Sequence, residues 1–155
     1  MTKINFQNLP DTTTPVNATN LNQLQTNVEN AMNQTWNNTF ALTTAVTANS
    51  WTKARSTDPS LSMSTGKYRF IISVSMAGQG NGIATVRPYI DSAEIGSAIR
   101  STIPIVNGLT SSAQVEFVKE ITSTPPNYTH YINAQIYSSA SCQVTSLVYD
   151  IQKLG

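Results

Sequence analysis

Between Gly66 and Met76 the chain reads GKYRFIISVSM, with an apolar residue at every second position. Tyr68, Phe70, Ile72, Val74 and Met76 share one parity. Lys67, Arg69, Ser73 and Ser75 share the other, with Ile71 the exception. Side chains alternate faces along a strand, so this stretch carries one apolar wall and one wetter face. The glycine-rich run Gly78 to Gly82 reads as the turn that ends it. Gly82 to Asp91 then reads as its antiparallel partner.

The rest of the chain after Asn37 extends the same pattern. Phe40, Leu42 and Val46 alternate, and Trp51 with Lys53 begins a short run that Asp58-Pro59 ends. Asp91-Ser92 reads as a turn, Ile95 and Ile99 to Val106 as further strand, and Asn107-Gly108 as a hairpin signal. Ala113, Val115, Phe117 and Ile121 share a face. Pro125-Pro126-Asn127 breaks the chain. His130, Ile132, Ala134 and Ile136 then face one way, and Tyr131, Asn133, Gln135 and Tyr137 the other. Ser138 to Ser141 form a turn, and Val144 to Gln152 close the series. This amounts to about eight to ten strands at sandwich spacing. No helical pattern alternates with them, so the expected sheets are antiparallel.

The segment before Asn37 differs in kind. Residues 1–18 hold Pro10 and Pro15 and little periodicity, yet place Ile4, Phe6, Leu9 and Val16 along an extended arm. Apolar anchors on an extended segment suit docking on another protein's surface; the alternative is a tail folded back on its own domain. Residues 19–36 read as a helix capped by Asn17 or Thr19, with Leu21, Leu24, Val28, Ala31 and Thr35 at heptad spacing and Met32 beside them. That stripe serves either a helix lying on its own domain or a short trimeric stalk, and two heptads alone are marginal.

Composition narrows the function classes. Of 155 residues 39% are apolar and only 11% charged, with a net charge of +1, against roughly 25% charged in an ordinary domain. There is no basic patch for nucleic acid and no run of membrane-spanning length. MTKINFQNLP has neither the apolar core nor the cleavage site of a secretory signal. The single Cys142 reads as a small strand residue, and the single His130 as a satisfied core or rim residue, too few for a His-based metal site. Glu116 and Glu120 stand about 13 Å apart along one strand, outside the separations used by glycosidases. Asp91 and Glu94 meet in a solvated turn. No phosphate loop, nucleophile elbow or Cys/His pair is present. The expectation is a structural or binding protein, not an enzyme, with no cofactor.

The stretch INFQNLPDTTTPVNATNLNQLQ resembles the start of many tailed-bacteriophage virion proteins, through Pro15, Asn17, Ala18, Asn20, Leu21 and Asn22. The domain after it is similar in outline to the jelly-roll heads of phage fibres and baseplate adhesins and to the C1q/TNF-like sandwich, whose G-x-Y-x-F strand matches Gly66, Tyr68 and Phe70. The resemblance implies a homotrimer in three parts: a docking arm at 1–18, a short helix at 19–36 and an antiparallel jelly-roll head at 37–155. It further implies docking by Ile4, Phe6, Leu9 and Val16 on a capsid, portal or baseplate protein. Leu21, Leu24, Val28, Tyr89, Tyr131 and Tyr137 are the candidate trimer contacts. The head is displayed for host attachment, with a host cell-wall glycan as candidate ligand and no nucleic acid or membrane partner. Trp51, Tyr89, Tyr131 and Tyr137 are the aromatics suited to a sugar ring, burial between protomers being their other use. The alternative function is a capsid decoration or plug protein with no host ligand.

Overall fold

A computed structural model describes residues 18–32, 35–96, 98–122 and 129–154. One helix, α1 (Ala18–Met32), precedes ten strands: β1 (Thr35–Val46), β2 (Trp51–Lys53), β3 (Ser60–Ser62), β4 (Gly66–Gly78), β5 (Gly82–Ile90), β6 (Ala93–Glu94), β7 (Ser101–Ile105), β8 (Thr110–Ile121), β9 (Thr129–Ser138) and β10 (Cys142–Lys153). The expected docking residues Ile4, Phe6, Leu9 and Val16 lie outside the described residues, as does the break at Pro125-Pro126-Asn127.

The strands form two antiparallel sheets. One has the order β1-β10-β4-β8; the other has the order β2-β9-β5-β6, with β3 also on β9 and β7 also on β5. The pairs β1·β10, β2·β9, β4·β8 and β5·β7 are nested, first strand with last and so inward. The chain is therefore one long antiparallel ribbon rolled on itself. Rolling brings β10 onto β4 and β9 onto β5, which closes the two sheets. This is the jelly-roll sandwich.

The parity of β4 is as expected: Tyr68, Phe70, Ile72, Val74 and Met76 are all fully buried between the sheets. Phe70 stacks on Phe117 of β8 with ring centroids 5.0 Å apart and planes 3° from parallel. Ala84, Val86 and Ile90 of β5 and Ile132, Ala134 and Ile136 of β9 supply the opposing layer. Burial of so much apolar surface is the main stabilising term.

Several pairings differ from the expectation. Gly82–Ile90 is not the partner of the central strand: it belongs to the other sheet, and the Gly78–Gly82 run crosses between sheets. Both strands have an apolar face to bury, and placing them in opposite sheets points those faces at each other. Gly78 must be glycine for this crossing, because a Cβ there would run into the Val106 carbonyl oxygen. Asn107-Gly108 is likewise a crossing, from β7 on β5 to β8 on β4, not a hairpin. Its Gly108 sits at φ 77°, which glycine adopts without strain. Asp91-Ser92 is a two-residue hairpin between β5 and β6, with φ 51° and 64°, the backbone of a type I′ turn.

Among the described residues the helix runs to Met32 and does not reach residue 36. Thr35 and Trp36 start β1 instead, opposite Gln152 and Ile151. Threonine and tryptophan favour strand, and the Trp36 ring gains a contact with Tyr68 at 5.9 Å between centroids. Thr35 therefore leaves the helical stripe. Asn133, expected to face outward, is fully buried. The segment after β2 folds over it, and its amide bonds the Arg55 carbonyl at 2.8 Å and Asp58 at 2.6 Å.

Candidate functional site

The outward parity of the second sheet gathers the aromatic residues. Trp51, Tyr137, Thr85 and Thr102 stand in one row across β2, β9, β5 and β7, each opposite the next. In this row the residues are aromatic on β2 and β9 and hydroxylic on β5 and β7. The Trp51 and Tyr137 rings lie 5.5 Å apart at 53°, and the Thr85 and Thr102 hydroxyls are 3.1 Å apart. The next row toward the loops at 79–81 and 139–141 begins with Ile83 opposite Pro104. Ser139 adjoins it, accepting from the Ile83 N–H at 2.9 Å. Asn49, at φ 62°, flanks the same row by donating its N–H to the Ser138 carbonyl at 2.7 Å.

On the other side of Trp51 lies a charged row. The Arg87 guanidinium sits 3.7 Å from the Trp51 ring centroid, and that of Arg100 5.5 Å. Arg87 donates twice to Gln135, at 2.9 and 2.7 Å, and once to Glu94 at 2.6 Å. Arg100 donates to the other Glu94 oxygen at 2.7 Å. The Arg100 hydrogen bond holds the Glu94 carboxyl below its ordinary value; desolvation opposes it, and the positive charges of Arg87 and Arg100 add to the lowering. Lys53 pairs with Asp58 at 2.8 Å and lies 5.3 Å from the Tyr89 ring centroid. The cations of this row are thus engaged by carboxylates of the same chain.

The expected site residues separate into groups. Tyr137 joins Trp51, while Tyr89 lies two rows away opposite Asn133. Tyr131 is farther still, exposed and beside Asp91, which accepts its N–H at 2.8 Å. All three tyrosines share the second sheet's outer face. Leu24 and Val28 are exposed on α1, and Leu21 is half-buried. Asp91 and Glu94 do not meet: Asp91 pairs with His130 at 2.7 Å. Cys142 is buried, and desolvation pushes its thiol up, a small strand residue as expected. Arg87 and Arg100 escaped the sequence reading, which placed Glu94 in a turn and Gln135 on the outward face without giving either a role in a site. Arg87 shares the outward parity of Thr85 and Tyr89, which was a usable signal; Arg100 comes from a loop and gave none. No group of three or more His, Cys, Asp or Glu suited to a metal occurs among the described residues.

No protein-family model matches the chain, and no curated protein matches its sequence. Solved structures resemble it in fold. A chain in the structure of infectious bursal disease virus Gx strain aligns at TM-score 0.47 and 10% identity, over 79% of this chain and 33% of that one. Our chain thus spans a third of that protein's length. A chain from Bacillus endospore appendages, described as a family of disulfide-linked pili, aligns at TM-score 0.37 and 13% identity over 78% and 88%. A carbohydrate-binding module from Cellvibrio mixtus lichenase 5A, in complex with cellotriose, aligns at TM-score 0.34 and 18% identity over 76% and 88%. All three are β-sandwiches, and the likeness is one of fold.

Proposed function

We propose that this chain is a structural virion protein, a homotrimeric phage fibre or appendage. In this reading residues 1–18 anchor it, through Ile4, Phe6, Leu9 and Val16, to a capsid, portal or baseplate protein, and the jelly roll is displayed for host attachment. The observation that supports the reading most is the polarity of the sandwich. The chain enters β1 at Thr35, at the end of the first sheet where Gly66, Ile121 and Lys153 also lie. The connections at 47–50, 79–81, 106–109 and 139–141 all gather at the opposite end. There they bond one another: Gly78 N–H to Leu109 at 2.9 Å, Gln79 N–H to Ser141 at 3.0 Å and Asn107 N–H to Asn81 at 2.9 Å. Anchoring at one end leaves the other free for contact. The open side chains of Leu24 and Val28, seven residues from Leu21 to Val28 along one helix face, suit association with copies of themselves.

Light scattering on the full chain at micromolar concentration should give three times 16.8 kDa. Immunogold labelling with antibody raised against the protein should decorate the outside of purified particles. A monomer in the first measurement removes the trimer. Particles that carry no label remove the virion role.

A further inference from the structure

The register places every described charged side chain of the sandwich toward the end where β1 begins. In the first sheet Asn37, Asp150, Ile71 and Glu116 form one row, and Lys67, Arg69, Lys119, Glu120 and Lys153 lie on its β1-entry side. In the second sheet the limit is the row of Lys53, Gln135 and Arg87. Arg55, Asp58, Asp91 and Glu94 come beyond it on that same side, and Arg100, next to the Ser101 that pairs with Val86, stands level with it. From those rows to the far loops no described strand residue is itself charged, over the eight residues of β4 from Ile71 to Gly78, about 23 Å of strand; only the Arg87 and Arg100 guanidiniums reach past the limit, onto the Trp51 ring. Charged side chains ordinarily crowd protein surfaces, and a free end without them is a chemical statement about what it meets.

That end is not featureless. On the second sheet two rows of uncharged residues stand side by side: Trp51–Tyr137–Thr85–Thr102, four strands broad and so about 14 Å wide, and Ile83–Pro104, which the connections extend through Ser139 and Asn49. Trp51 keeps 37% of its surface open and Ile83 56%. The Trp51 ring is braced by Tyr137 and Arg87, so little ordering is lost when something stacks on it. Hydroxyl and amide groups flank the rings. Arg87 and Arg100 share the one Glu94 carboxylate, and Arg87 commits its other donors to Gln135.

We propose that these two rows are the ligand-contacting surface of the head, and that the ligand is an uncharged glycan. A sugar ring offers apolar C–H faces to Trp51 and Ile83 and hydroxyls to Thr85, Thr102 and Asn49. The inference deepens the display reading and rests on it. The absence of charge also sets the salt response: a neutral ligand has no Coulomb attraction to screen.

The test is titration of the full-length protein with methyl glycosides of glucose, galactose and N-acetylglucosamine, and in parallel with glycerol phosphate and N-acetylneuraminic acid. Binding is read from the amide resonances of Thr85, Thr102 and Tyr137. At least one neutral glycoside should move all three, with an affinity that changes less than about twofold between 50 and 500 mM salt. Trp51→Ala should weaken it about tenfold or more. Thr102→Val, an exposed change that leaves the fold intact, should weaken it several-fold, and Ser73→Ala on the other sheet should leave it unchanged. Binding of only the anionic probes, binding that falls steeply with salt, or no response to any probe overturns the proposal. Sugar binding by a protein that is monomeric and absent from particles would overturn the display reading and leave the platform standing.

Discussion

Arg87 shows how one side chain can organise a surface. Its three nitrogens bond Gln135 and Glu94, and its central carbon sits 3.7 Å from the Trp51 ring centroid, so it braces the ring and pairs with the acid together. The Glu94 carboxyl titrates below its ordinary value of 4.5 in the fold. Its contribution is therefore complete above that value and is lost as pH falls through the lower, folded value. Acid titration should perturb Trp51 emission in that window before the sandwich unfolds, and Glu94→Gln should abolish the step. A step that persists in Glu94→Gln belongs to another group. Asn133 carries a different lesson. Its position between Ile132 and Ala134 gave it outward parity, and the residue is indeed on that face. What the alternation does not encode is that the segment Ala54–Pro59 folds over it. Asn133→Ala leaves the Arg55 carbonyl and the Ala134 N–H without their bonds, a loss of about 1–3 kcal/mol measured by denaturant unfolding.

At the scale of elements, the parity of β4 was legible because burial on one face leaves a period of two that nothing else produces. Phe70→Ala should cost about 3–5 kcal/mol. Ser73→Ala, whose hydroxyl makes only a 3.4 Å contact with Gln114, should cost less than about 0.5 kcal/mol. Similar effects from the two would contradict the buried face. Pairing was less legible. Glycine and asparagine mark a reversal of the chain, but the same residues serve a hairpin within a sheet and a crossing between sheets. Asp91-Ser92 is the first kind, Gly78–Gly82 and Asn107-Gly108 the second. Gly78→Ala separates them physically: at a hairpin it would be mild, whereas against the Val106 carbonyl it should destabilise by about 1–3 kcal/mol. The helix boundary was lost for a related reason. Thr35 fits a heptad by spacing, and only the partners across the sheet pull it and Trp36 into β1.

For the whole molecule, the nested pairs make the sandwich self-contained, while Leu24 and Val28 on α1 remain open. Replacing both by Asn should convert the proposed trimer into a monomer without changing the cooperative unfolding of the sandwich at fixed monomer concentration. Wild-type melting should shift with protein concentration and that of the variant should not. Unchanged mass in the variant would place the association elsewhere, with Tyr89, Tyr131 and Tyr137 as the next face to alter. The candidate surface itself was half legible: its aromatics were visible as residues, but the rows that set Trp51 beside Tyr137, and Thr85 beside Thr102, exist only across strands far apart in the chain.

The position of β10 has a consequence for synthesis. It lies between β1 and β4, so the middle of the first sheet is built from residues 142–153. A ribosome that has reached Ser141 has made β1, β4 and β8, yet β1 has no neighbour and β4 has one bare edge. The head therefore acquires its shape only after these late residues emerge, and its folding is dominated by contacts far apart in the chain, a slow class of topology. Chains cut short by a stalled ribosome or a premature stop never present a finished head, so a chain missing this last strand is excluded from any assembly that recognises the folded sandwich.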